Sequence, residues 1–185
     1  MQFRKIYGIA AALAIFPVFS QAAGFTVTSP SVRAGGTLAE AQVFKGFGCE
    51  GGNISPALSW HGAPKGTKSY AVTVYDPDAP TGSGWWHWVV YNIPADVTSL
   101  AENAGATDGK ALVAGAVQGR TDFGAPGYGG ACPPKGDKPH RYQFTVHALK
   151  TERLDLPPEA SAAMVGFMIH ANLLGSASLR AKYSR

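Results

Sequence analysis

The chain has 185 residues, is 45% hydrophobic and carries a formal net charge of +4. This length suits one domain that is large enough to bury a sizeable core. The sequence contains no run of Lys and Arg and no interleaving of basic and aromatic residues, which argues against nucleic acid as a partner.

The N-terminus has the organisation of an export signal. Arg4 and Lys5 precede an apolar stretch at residues 6–19, which is too short for a comfortable membrane span and is followed by the small residues of a cleavage site. We therefore predict a signal peptide at residues 1–22, a single domain at residues 23–185, and a periplasmic or secreted location. An uncleaved anchor is the alternative. No later segment of the sequence is long and apolar enough for us to predict stable insertion into a membrane.

Frequent, scattered glycine and proline residues suit short strands that are joined by turns. Apolar or alternating runs predict strands at residues 25–28, 57–60, 70–75, 88–93, 112–117 and 142–149. Residues 103–109 and 118–139 are predicted loops, and a loop as long as the second is usually functional.

The run after the long loop alternates between a polar and an apolar face. The apolar face is opened by a histidine and a tyrosine and continues with aliphatic and aromatic residues: His140, Tyr142, Phe144, Val146 and Ala148. The two polar groups either cap the core or line a pocket at the edge of the sheet.

The end of the chain changes to a helical period. Apolar residues recur at helical spacing from Ala160 to Leu174, with a start signal at Asp155 and a stop signal at Gly175. We expect this helix to cover the sheet structure, with its methionines in the core. Several antiparallel strands and one late helix suggest a β-sandwich with peripheral helices.

Cys49 and Cys132 both follow the predicted leader and would reach an oxidising compartment. An even count there favours one disulfide between them. A free, reactive thiol at Cys132 is the alternative.

Two proline-containing motifs frame the candidate site. The first is Asp76-Pro77-Asp78-Ala79-Pro80, and the second joins Pro133-Pro134-Lys135-Gly136 to His140-Arg141-Tyr142. With Trp85 and His87 between them, and with the stretch from Gly51 to Trp60, they resemble the phosphatidylethanolamine-binding protein family. This family includes the Raf kinase inhibitor proteins, and the resemblance is to its exported bacterial branch. It implies a mainly β fold, a two-sheet antiparallel β-sandwich with peripheral helices and a small anion-binding cavity at one end.

The resemblance also implies a set of ligand-binding residues: Asp76, Asp78, Trp85, His87, Gly130, Cys132, Pro133, Pro134, His140 and Tyr142. The chain departs from the family pattern at Cys132, because many eukaryotic members have glycine before the Pro-Pro pair. The long C-terminal helix of mammalian members is also shortened or replaced, so the size of the ligand does not carry over.

Two carboxylates alone make a poor anion site, but a carboxylate that holds a histidine favours its protonated form. We therefore expect Asp76 to hold His87 or His140, which would then donate to a phosphate or carboxylate oxygen. Backbone amides at residues 129–132 and the Tyr142 hydroxyl would add donors. Such a site predicts weak binding that is lost as the histidine loses its proton.

The same residues also have simpler interpretations. Asp76 and Asp78 are common turn formers, and Arg141 on the polar face is more typical of a salt bridge than of a ligand contact. Structural or surface roles are expected for the remaining histidines: His61, His147 and His170.

The function predicted first is a binding protein without a cofactor, which accepts a phosphate-bearing small molecule or head group and inhibits or modulates a kinase, a protease or another protein. The alternative is a hydrolase that uses Asp76, His87 and His140, with or without a metal ion. Exposure of Trp86 or Trp88 would in addition provide a homodimer face.

Overall fold

A computed structural model describes residues 24–185. The predicted signal peptide and its cleavage site lie outside the described residues. In this part of the chain ten strands follow one another: β1 (Thr26–Thr28), β2 (Lys45–Gly46), β3 (Cys49–Glu50), β4 (Leu58–His61), β5 (Ser69–Asp76), β6 (Trp85–Pro94), β7 (Ser99–Leu100), β8 (Val117–Gln118), β9 (His140–Leu149) and β10 (Leu173–Tyr183). One α-helix, α1 (Ala162–Ala171), precedes β10, and a short 3-10 helix spans Glu40–Gln42.

The strands form two main antiparallel sheets and a small hairpin. The large sheet has the order β10-β9-β5-β6-β8, and the small sheet has the order β1-β4-β7. Strands β2 and β3 pair as a hairpin outside both sheets. The mainly β, two-sheet architecture predicted from the sequence is therefore confirmed, with a single α-helix in the described residues at its periphery.

The core lies between the two sheets. The alternation predicted for residues 140–148 is present, since Phe144 and Val146 of β9 are fully buried while Arg141 is exposed. They pack with Trp88 of β6 and with Leu58 of β4 in one apolar cluster. Burying one such side chain stabilises the fold by about 1.5–3 kcal/mol.

Helix α1 covers the opposite face of the large sheet. Val165 and Ile169 pack there against Val89 of β6, and the Ser161 hydroxyl caps the helix by accepting a hydrogen bond from the backbone N–H of Met164. The helix is shorter than predicted at both ends. The expectation that its methionines lie in the core is wrong for Met164, which is 47% exposed.

Residues Leu173–Tyr183 form strand β10, which the sequence analysis missed; the predicted helix extended into its first two residues. Its Cα register pairs Leu173 with Leu149 through Tyr183 with His140, with an irregularity that ends at Gly175. Gly175 therefore lies inside a strand and does not end the helix. The predicted strand at residues 112–117 is also wrong, because only Val117–Gln118 pairs with β6.

Candidate ligand-binding site

A cavity of about 180 Å³ opens at the end of the large sheet where β5 finishes at Asp76 and β9 begins at His140. Antiparallel pairing of β5 with β9 and β6 places the ends of these strands together. The cavity lining contains eight of the residues that the resemblance implied: Asp76, Trp85, His87, Cys132, Pro133, Pro134, His140 and Tyr142.

The Asp76–His140 pair forms the polar centre of the cavity. His140 Nδ1 lies 2.7 Å from Asp76 Oδ2, and both side chains are almost fully buried. The other oxygen of Asp76 accepts a hydrogen bond of 2.8 Å from the backbone N–H of Asp78. His140 Nε2 lies 3.4 Å from Asp137 Oδ2. Of the two histidines that the sequence left open, His140 is therefore the one that Asp76 holds.

His87 has a different environment from the one expected of an aspartate-bound histidine. Its Nδ1 lies 2.8 Å from the Gly129 carbonyl oxygen and 3.1 Å from the Gly130 carbonyl oxygen. Burial lowers the pKa of His87 below its ordinary value, although both carbonyls and the charges of Asp76 and Asp122 act in the opposite direction. His87 is therefore neutral near neutral pH, and the expectation that Asp76 could hold it as an imidazolium is wrong.

Tyr142 contributes its ring to the cavity wall, where it meets the His87 ring edge-on at 5.1 Å. Its hydroxyl is buried and makes no hydrogen bond of ordinary geometry, although the backbone of Cys132 lies near enough to act on it weakly. Burial, followed by the charge of Asp76, raises the pKa of Tyr142 above its usual range. The hydroxyl thus stays protonated, but it lies beneath the cavity surface rather than on it.

The backbone amides expected to bind an anion are committed elsewhere. The amides of Gly129, Gly130 and Ala131 donate to His87 O, Asn53 Oδ1 and Gln42 O, respectively. A Cβ on Gly130 would lie 2.4 Å from the Gln42 carbonyl oxygen, so this glycine is required by packing. Gly130 does not line the cavity, and the expectation that these three amides donate to the ligand is wrong.

Asp78 also lies outside the cavity lining. Its Oδ2 accepts hydrogen bonds of 2.8 Å from both the backbone N–H and Nε of Arg141, and its Oδ1 lies 2.6 Å from Arg141 Nη2. These hydrogen bonds lower the pKa of Asp78. The prediction that Arg141 forms a salt bridge is confirmed.

The disulfide between Cys49 and Cys132 is present, with its Cα atoms 6.0 Å apart. It ties the β2–β3 hairpin to the long loop before β9, which carries Cys132. At the tip of that hairpin Phe47 lines the cavity, is 71% exposed and has a left-handed backbone with φ of 52°. Phe47 and Phe123 stack at 5.9 Å and form an aromatic wall that the sequence analysis did not identify.

The reason that Phe47 and Phe123 were missed is that neither belongs to a motif or to a periodic segment. Arg185 was missed for the same reason. Its Nε and Nη1 donate to the Pro133 and Gly48 carbonyls at 2.6 and 2.8 Å, so it joins the same two loops as the disulfide. Gly46 and Gly48, on either side of Phe47, are a local sign of a turn there.

Trp88 is fully buried and donates from Nε1 to Gln118 Oε1, so the homodimer face proposed for it is wrong; Trp86 is half-buried beside α1.

Across residues 24–185 no group of three or more His, Cys, Asp or Glu side chains is arranged to hold a metal ion. None of the helices described is long and apolar enough to cross a membrane.

Comparisons with known proteins place this geometry among related structures. A family model described as phosphatidylethanolamine-binding protein matches residues 28–184. The UPF0098 protein YbcL of Escherichia coli is 58% identical over 175 residues, which cover 95% of this chain and 96% of that protein. The UPF0098 protein YbhB, also of Escherichia coli, is 55% identical over 159 residues, which cover 84% of this chain and 98% of that protein.

Solved structures agree with these matches. The crystal structure of E. coli YbcL is similar with a TM-score of 0.87 at 60% identity, covering 88% of this chain and 99% of that one. A phosphatidylethanolamine-binding protein homologue from Chlamydia trachomatis, CT736, has a TM-score of 0.72 at 30% identity and covers 88% of this chain and 98% of that one.

Proposed function

The chain belongs to the phosphatidylethanolamine-binding protein family, and from this premise we propose that its cavity binds a small phosphate-bearing molecule or head group. The observation that carries the proposal is the Asp76–His140 pair. It places a histidine, anchored at Nδ1 by a buried carboxylate, in the wall of a cavity of about 180 Å³.

His140 supplies the donor that an anion needs. Asp76 holds Nδ1. Among the described residues, the carboxylate near Nε2 is that of Asp137, whose Oδ2 lies 3.4 Å away without the geometry of a hydrogen bond. Protonated His140 presents Nε2–H as a donor, and an anion that displaces Asp137 from its 3.4 Å contact can accept from it. Such a charge-assisted hydrogen bond contributes roughly 1.5–3 kcal/mol.

The remaining wall suits a small head group rather than a large ligand. Trp85 and Phe123 meet edge-on at 5.4 Å, and Pro133 and Pro134 also line the cavity. With one charge-assisted donor and this apolar wall, we expect dissociation constants in the micromolar to millimolar range after the costs of association are subtracted.

The proposal is tested by isothermal titration calorimetry with phosphoethanolamine and with inorganic phosphate at pH 6. Both should bind, and His140→Gln, which removes the imidazole donor at Nε2, should weaken binding by at least about tenfold. His61→Gln, at an exposed histidine, is the matched control. Lack of binding at pH 6, or an affinity that His140→Gln leaves unchanged, would contradict the proposal.

The effect on a kinase or protease, the hydrolase alternative and the periplasmic or secreted location stay predictions. A homodimer also stays a prediction, though Trp88 cannot provide its face.

A further inference from the structure

We propose that the cavity selects an oxyanion that carries a proton of its own, so that a singly ionised phosphate monoester is bound in preference to an oxyanion without an O–H group. This inference rests on the proposed function, because it specifies which form of the ligand the same cavity accepts.

The first step is the hydrogen position on His87. Both atoms within hydrogen-bonding distance of Nδ1 are carbonyl oxygens, Gly129 O and Gly130 O, and a carbonyl oxygen can only accept. Nδ1 must therefore carry the hydrogen. In the neutral ring Nε2 is then a lone pair, which can only accept a hydrogen bond.

The second step is the position of that lone pair. His87 lines the cavity, its Nδ1 edge is turned to the backbone of the long loop, and its Nε2 has no hydrogen-bond partner among the described residues. This unpartnered nitrogen is not fully buried, so it is accessible from the cavity. The cavity thus offers an acceptor at a place where a bound anion would meet it.

The third step is the charge around His87. Asp76 from β5 and Asp122 from the long loop are the carboxylates that act on it, and His140 and Tyr142 face it from β9. The carboxylates favour a proton on His87, but burial outweighs them and lowers its pKa. Burial therefore favours the neutral form of His87, in which Nε2 is an acceptor.

The wall then presents one donor and one acceptor to the ligand. A singly ionised phosphate monoester matches both, since its P–O–H group donates to His87 Nε2 while another oxygen accepts from His140 Nε2–H. An oxyanion without a hydrogen would place a lone pair against the His87 lone pair, and the amides of Gly129, Gly130 and Ala131 cannot compensate because they are already bonded. Unpaired polar groups of this kind discriminate strongly between otherwise similar ligands.

The test compares methyl phosphate with methyl sulfate at pH 5. Both are then singly charged and similar in shape, but only methyl phosphate carries an O–H group, because the second ionisation of a phosphate monoester occurs near pH 6. Calorimetric titration should show methyl phosphate binding at least about tenfold more tightly. In His87→Asn, whose amide can still donate toward the Gly129 carbonyl but which has no atom at the position of Nε2, the ratio should fall toward one.

Equal binding of methyl sulfate and methyl phosphate to the unaltered protein would overturn this inference and leave the proposed function standing. If neither compound, nor inorganic phosphate, binds at pH 5, the proposed function fails and the inference fails with it.

A second measurement does not depend on the folding of a variant. The ¹⁵N chemical shifts of the His87 ring should report the Nδ1–H form both before and after methyl phosphate is added. A hydrogen on Nε2 in the free protein, or an imidazolium in the complex, would overturn the inference.

Discussion

Replacing Asp76 with Asn is the change that most directly tests how the cavity works. The substitution keeps the size of the side chain and leaves an oxygen that can still accept from the backbone N–H of Asp78. It removes the negative charge that lies 2.7 Å from His140 Nδ1, where both side chains are almost fully buried. His140 then loses the buried negative charge that supports donation from Nε2 to an anion.

The expected magnitude follows from the interaction that is lost. A charge-assisted hydrogen bond contributes roughly 1.5–3 kcal/mol, which corresponds to a loss of affinity for inorganic phosphate of about 10-fold to 150-fold at pH 6. Since one partner of a buried ion pair is removed, the free energy of unfolding should also fall, by about 3–5 kcal/mol at most. Calorimetric titration measures the first quantity and urea unfolding measures the second.

Asp78→Asn is the matched control, since Asp78 belongs to the same turn but pairs with exposed Arg141 outside the cavity. Since neither residue lines the cavity, phosphate affinity should change less than about threefold in this variant, while loss of the exposed pair should lower the free energy of unfolding by about 0–1 kcal/mol. The reasoning would be refuted if Asp78→Asn weakened phosphate binding as much as Asp76→Asn, or if Asp76→Asn left it unchanged.

Three further changes concern stability. Tyr142→Phe removes a buried hydroxyl that lacks a hydrogen-bond partner, so the free energy of unfolding should rise by about 1 kcal/mol and Tm by about 2–4 °C. Replacing both Cys49 and Cys132 with Ala removes a bridge across 83 residues, which should cost on the order of 4 kcal/mol in urea unfolding. Burial lowers the pKa of His147 from 6.5 to about 4. The folded state therefore resists protonation, and stability present above pH 6.5 is lost as the pH falls toward 4, by about 1.4 kcal/mol per unit. Urea unfolding at pH 7 and pH 5 should show a smaller loss for His147→Gln than for the unaltered chain.

Each of these expectations has an outcome that contradicts it. A lower Tm for Tyr142→Phe would mean that its hydroxyl has a stabilising partner. A loss below about 1 kcal/mol for the double cysteine variant would mean that the bridge constrains the unfolded chain little. An equal loss between pH 7 and pH 5 with and without His147 would assign the acid sensitivity to other groups.

Local patterns in the sequence were sufficient where the deciding interaction lies within a few residues. Alternation predicted the buried face of β9, because successive side chains of a strand point to opposite sides. The same reasoning failed at the end of the chain, where the helical spacing continues through Leu174. Pairing with β9 decides that this segment is a strand, and that partner lies far away in sequence.

The sequence by itself determined the class of the fold, the cysteine pair and most of the residues around the cavity, since the first two follow from composition and alternation and the third from the family resemblance that two motifs carry. Only the tertiary structure decided their roles. Asp76 meets His140 across 64 positions, while His87 instead donates to the carbonyls of a loop more than 40 residues away. A motif names the side chains at a site, but their protons and hydrogen-bond partners depend on which distant segments the fold brings beside them, and burial then sets which of them can carry a charge.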